Sequence, residues 1–160
     1  MTIWNAASNS ILHVFNPPQW PPESRGGDSA RAHRFGESEK IRVIVIDDES
    51  LIAETVVEIL KAEGFEATAV SSGLSAIELA KIWSPDVVLS DVIMPGLNGI
   101  ETGTRIREVA PSCKVILFSG QAATVDLLEE ARQYGHRFDI LAKPIKPEQL
   151  VSAIRAKYSS

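Results

Sequence analysis

A chain of 160 residues with 44% hydrophobic content has room for one ordinary domain and an appendage. Its formal charge of −5 gives no bulk attraction to a phosphate backbone or an anionic membrane, which argues against nucleic-acid and membrane partners. The single cysteine, Cys113, has no partner for an internal disulfide, and its place at the head of the apolar run "CKVILF" suits a small buried hydrophobe.

Residues 1–40 differ from the rest. The stretch "NPPQWPPESRGGDSARAHRFGESEK" mixes charges with four prolines and has no helical or strand period, so it reads as a Pro-rich leader, extended or disordered. No apolar run approaches the roughly 20 residues of a membrane-spanning helix. The opening "MTIWNAASNSILHVF" lacks the basic start of a secretory signal, and the expectation is a protein of the cytoplasm.

From Ile41 the pattern changes to short apolar runs alternating with amphipathic stretches. "IRVIVI" (41–46) predicts a strand rich in β-branched residues, and "ESLIAETVVEILKAEG" (49–64) a helix whose Gly64 suits the left-handed position past its end. The alternation continues with strands at 65–70, 86–90, 114–119 and 138–142. The matching helices fall at 73–83, 99–110, 122–135 and 146–158. Five strands each followed by a helix imply right-handed crossovers and a parallel sheet covered on both faces. The runs beginning at Ile41, Asp86 and Lys114 are the most apolar and belong at the centre; "FEATAV" and "FDILA" suit the edges. The expected fold is therefore α/β, a doubly wound five-stranded parallel sheet of flavodoxin-like order 2-1-3-4-5.

In such a sheet the ligand site lies beyond the carboxyl ends of the strands. Polar residues collect there: Asp47, Asp48 and Glu49 after the first strand, Ser90 and Asp91 after the third, Ser119 and Gly120 after the fourth, Lys143 and Pro144 after the fifth. Acids near a helix start are common, and Glu49 has that plain reading. Asp91 is harder to explain so, because a lone buried carboxylate is costly unless it is paired or binds a cation. Converging carboxylates favour a hard divalent cation such as Mg²⁺, whose remaining positions suit water and a phosphoryl oxygen. A carboxylate can also attack phosphorus to form an acyl phosphate, with Lys143 and the cation balancing charge.

The segments "VIVIDDES", "VVLSDVIMPGLNGIE", "LFSG" and "LAKPI" together resemble the signature segments of two-component response-regulator receiver domains. The resemblance covers the chain from Ile41 onward, giving a receiver at 41–158, and the inferred strand order is that of the CheY-like receivers. It implies that Asp91 is the phosphoacceptor. It further implies that Asp48 and Asp91 ligate Mg²⁺ directly, that Asp47 acts through a metal-bound water, and that the Ile93 carbonyl completes the set. Ser119 matches the hydroxyl that follows the phosphoryl group, and Lys143 the lysine that contacts a phosphoryl oxygen, with a cis Lys143–Pro144 bond. The implied donor is a sensor histidine kinase or a histidine phosphotransfer protein. The chain ends shortly after the fifth helix, so the expectation is a stand-alone receiver whose output is a downstream protein target or onward phosphotransfer.

Three departures from the family pattern stand out. The position three before Lys143, usually Tyr or Phe, is Ile140, with Phe138 one step back on the same face. "GHRFD" replaces the small and acidic residues common before the fifth strand. Ile93 and Gln121 occupy the positions that tune acyl-phosphate hydrolysis, and the apolar Ile93 predicts a long-lived phosphorylated state. Ile93 also stands where a dehalogenase-type phosphohydrolase needs a second acid, which disfavours an enzyme. A phosphate-independent interaction module of the same fold is the alternative. A phosphorylation-dependent homodimer through the fourth helix, fifth strand and fifth helix stays open.

Overall fold

The computed structural model describes residues 39–120 and 123–159, so the leader, apart from its last two residues, and Gln121 lie outside the described residues. The elements run β1 (Arg42–Ile46), α1 (Ser50–Ala62), β2 (Glu66–Val70), α2 (Gly73–Trp83) and β3 (Val87–Asp91). Then follow α3 (Gly99–Val109), β4 (Lys114–Ser119), α4 (Ala123–Gln133), β5 (Asp139–Ala142) and α5 (Pro147–Tyr158). The strands form one five-stranded sheet, every pairing parallel, in the order β2-β1-β3-β4-β5. The three most apolar strands are at its centre, as their sequences require.

Side chains alternate along each strand and so build two cores. On one face Val43, Val45, Val87, Leu89, Ile116 and Phe118 meet α1 and α5. On the other Ile44, Ile46, Val88, Val115 and Leu117 meet α2, α3 and α4. Burying each large aliphatic side chain stabilises the fold by about 1.5–3 kcal/mol, so the sheet is a stiff platform for whatever its ends carry.

The helix ends follow local chemistry. At the end of α1, Phe65 N donates to Leu60 O at 3.0 Å and Gly64 N to Lys61 O at 3.1 Å, while Gly64 takes φ +92°. This is a Schellman closure, and its two apolar partners, Leu60 and Phe65, join the same core. Asn98 and Glu101 form a reciprocal capping box at the start of α3, both bonds 2.9 Å. Pro147 occupies the first turn of α5, where its missing N–H costs nothing.

Most element ends fall within a residue or two of the sequence-based expectation, and both ends of β3 are shifted by one residue. β3 begins at Val87, and Asp86 just before it ties the sheet start together: its carboxylate accepts Arg42 N at 2.8 Å, its N–H donates to Arg42 O at 2.9 Å and its carbonyl accepts Lys114 N at 2.9 Å. Asp91 is the last residue of β3 and lies opposite Phe118 in the ladder, so the acid belongs to the strand itself. No helix among the described residues is long and apolar enough to cross a membrane.

Helices α2 and α3 meet closely where Gly73 faces Thr102; a Cβ on Gly73 would overlap the Thr102 hydroxyl. Thr102 is fully buried, and its Oγ1 has no hydrogen-bond partner among the described residues. An unpartnered buried hydroxyl forfeits its hydration. Thr102→Val is therefore expected to stabilise the protein by about 1 kcal/mol in urea denaturation, and a destabilised variant would refute this account of the contact.

Candidate functional site

The register of the sheet brings the ends of β1, β3 and β4 to one edge. Asp47 follows β1 directly, with its backbone N–H on Val70 O at 3.3 Å. Its side chain is 0% exposed. One carboxylate oxygen, Oδ1, accepts Glu49 N at 2.9 Å, and the other, Oδ2, lies 3.5 Å from Lys143 Nζ. Glu49 thus serves the site through its backbone; it precedes α1 without a side-chain cap bond. Asp48 is exposed. Asp91 is 14% exposed at the side chain, and its Oδ2 lies 3.4 Å from the same Lys143 Nζ.

One oxygen from each of Asp47, Asp48 and Asp91 falls within 4.8 Å of the others. The Lys143 ammonium lies against two of the three acids, Asp47 and Asp91, so the cluster keeps an excess of negative charge in a partly desolvated place. Burial is the main cause that raises the Asp91 carboxyl above its ordinary value; Lys143 opposes the rise and the Asp47 charge adds to it. Converging carboxylate oxygens open to solvent at Asp48 are a donor set that could hold a hard divalent cation.

The chain leaving Asp91 is shaped by contact. A Cβ on Gly99 would overlap the Asp91 carbonyl oxygen and lie 2.9 Å from Val92 Cα, so only glycine lets α3 start against the strand end. Gly99 N donates to Val92 O at 2.9 Å, and Gly96 turns with φ +74°. Ile93, between them, is half-buried and packs on the α2–α3 side of the core.

Ser119 is buried at the end of β4, and its carbonyl accepts Lys143 N at 3.0 Å. The Lys143–Pro144 bond is cis, as the resemblance implies. The ammonium of Lys143 also stands 4.9 Å from the centre of the Phe118 ring. Reading from sequence misses Phe118, although an aromatic immediately before Ser119 was the available signal. Beside Asp47 a groove of 320 Å³ opens, lined by Ser50, Glu54, Ser71 and Ser75 among others.

The departures also have clear positions. Ile140 is 40% exposed. Phe138 is held against α3, with the Arg107 guanidinium 4.3 Å over its ring and Gly103 so close that a Cβ there would lie 2.9 Å from Phe138 Cε1. It therefore does not stand in for an aromatic at position 140. Cys113 is buried and its thiol is pushed up to about 12 by burial, which suits a packing role.

The family model of the response regulator receiver domain matches residues 43–155. The chain belongs to that family. The DNA-binding response regulator MtrA of Mycobacterium tuberculosis is 30% identical over 116 residues, 72% of this chain and 50% of that protein. The transcriptional regulatory protein PdtaR of the same species is 36% identical over 121 residues, 74% of this chain and 57% of that protein. The receiver thus spans about half the length of the curated relatives it matches. A crystal structure of a response regulator receiver protein from Sinorhizobium medicae, 30% identical, superposes with TM-score 0.66 over 76% of this chain and 97% of that one.

The raised Asp91 carboxyl has a consequence for stability. Folding favours its protonated form, so stability is lost as pH rises from the ordinary value of 3.8 through the raised one. In chelator-containing buffer, Asp91→Asn is expected to melt higher than the native receiver at about pH 7, with the difference closing toward about pH 4. A difference that does not change between the two would show that Asp91 carries no burial penalty.

Proposed function

We propose that this receiver takes a phosphoryl group onto Asp91 from a phosphohistidine of a sensor histidine kinase or a histidine phosphotransfer protein. The observation that supports this most is the Lys143 ammonium lying between the Asp47 and Asp91 carboxylates while Asp48 completes an oxygen cluster. In the transfer an Asp91 oxygen attacks phosphorus and the donor P–N bond breaks. The bonding pair stays on the imidazole nitrogen, which leaves as neutral imidazole when the other ring nitrogen carries a proton. Lys143 offers N–H groups to the equatorial oxygens, and Ser119 takes the place of the hydroxyl that follows the phosphoryl group.

Asp47, Asp48, Asp91 and the Ile93 carbonyl would hold Mg²⁺. When bound, the ion neutralises the carboxylates and attracts the phosphoryl oxygens. We assign the receiver to residues 41–158, with 1–40 as a leader; the family match beginning at residue 43 supports this. Output passes to a downstream protein, by altered binding or onward transfer, as phosphorylation shifts the balance between two surfaces. The net charge of −5 gives no bulk attraction to nucleic acid.

Purified receiver incubated with phosphorylated kinases or acetyl phosphate and Mg²⁺ is expected to take up label, and Asp91→Asn to lose it. Native-rate labelling of the variant would overturn the assignment of Asp91, and an unlabelled native protein would favour a phosphate-independent module.

The apolar Ile93 beside the acceptor offers no group to orient a hydrolytic water. Ile93→Asn is expected to speed dephosphorylation on the order of tenfold, a small part of what full acid–base positioning contributes. An unchanged or slower rate in a single-turnover chase would remove Ile93 as the determinant of lifetime.

A further inference from the structure

We propose that Phe118 is a positioning residue for phosphoryl transfer: its buried ring carries the Lys143 ammonium and holds it between Asp47 and Asp91. The proposal rests on the reading of Asp91 as phosphoacceptor. It adds a residue whose side chain bears neither charge nor hydrogen-bonding group.

Lys143 starts beyond the edge strand β5, yet its ammonium must reach acids that end β1 and β3, with β4 lying between. The two carboxylates do not fix it alone. Its distances of 3.5 and 3.4 Å to Asp47 and Asp91 are long beside the roughly 2.7–2.9 Å of a charge-assisted hydrogen bond. The third contact is the ring of Phe118 at 4.9 Å, inside the range of about 6 Å over which a cation is drawn to an aromatic face.

Phe118 is suited to the task. It is 2% exposed, packed in the core formed with α1 and α5, and it pairs with Asp91 in the ladder, so ring and acceptor share one rigid frame. The end of β4 supplies the rest of the support. Ser119 O accepts Lys143 N at 3.0 Å, and a Cβ on Gly120 would lie only 3.4 Å from Lys143 Cβ, so the lysine stem passes close over the strand end. A third carboxylate against the ammonium would hold it too, but would compete with the incoming phosphoryl oxygens for its charge. A ring attracts the cation weakly and leaves its N–H groups free to turn toward phosphate.

Two measurements test this. In the resting protein, without phosphodonor, ¹H–¹³C NMR should show the Lys143 ε-methylene protons upfield of the other lysines through the ring current. The shift should vanish in Phe118→Leu. With acetyl phosphate, Phe118→Leu and the near-isosteric Phe118→Met should slow labelling of Asp91 roughly fivefold, the size of a partly desolvated cation–π contact. In a Lys143→Ala background the same substitutions should slow it no further.

An unshifted Lys143 signal in the native protein overturns the proposal without any variant having to fold. Equal slowing with and without Lys143 overturns it as well, because Phe118 would then act through packing. A native chain that takes no label, yet shows the upfield Lys143 signal, overturns the phosphoacceptor reading and with it the role in transfer. Those two failures are thus told apart.

Discussion

Two carboxylates and one ammonium, Asp47, Asp91 and Lys143, held together at the carboxyl edge of a parallel sheet, set the terms for the rest of this molecule. Left in water, the acids would drift apart. They stay because Asp47 is sealed at the end of β1 by the backbone N–H of Glu49, and because Asp91 is the last rung of β3. Much of the surrounding sequence serves that arrangement. Gly99 lets α3 begin against the Asp91 carbonyl, the capping box of Asn98 and Glu101 fixes that start, and the end of β4 holds the lysine.

Stability comes from elsewhere. The central strands are buried on both faces by two separate cores, and those cores provide the free energy against which an acidic cluster can be retained. The division between a rigid interior and an unfavourable charged edge is what a switch requires, since a ligand that relieves the edge gains energy without rebuilding the interior. A divalent cation held by Asp47, Asp48 and Asp91 would be such a ligand. The face that carries Ile140 differs from the usual family pattern: an exposed aliphatic residue occupies the position, and the nearest aromatic, Phe138, is fixed under Arg107 on α3. Residue 140 therefore supplies no ring that could swing between two positions.

Most of the fold and the acids of the site were legible in the sequence, because both depend on short-range patterns. Alternating β-branched runs and amphipathic stretches determine strand and helix, and the apolar content of each strand orders the sheet. Asp47, Asp48, Asp91, Ser119 and Lys143 were legible because each sits where a strand stops. Placing Asp91 inside β3 was harder, since its membership depends on pairing with Phe118 some distance along the chain. Phe118 itself read as one more core residue: its contact with Lys143 spans two elements and leaves no periodic trace.

The sequence by itself determined the doubly wound topology, the identity of the acids and the lysine, and membership of the receiver family, because local propensity and strand-end motifs carry that information. Tertiary structure alone decided which oxygen faces which charge, how deeply Asp47 is sealed, why Gly73 and Gly99 tolerate no side chain, and what lies beneath the ammonium. Those are distances between residues far apart in the chain. They follow from the register of the strands and the packing of the two cores, which no single segment encodes.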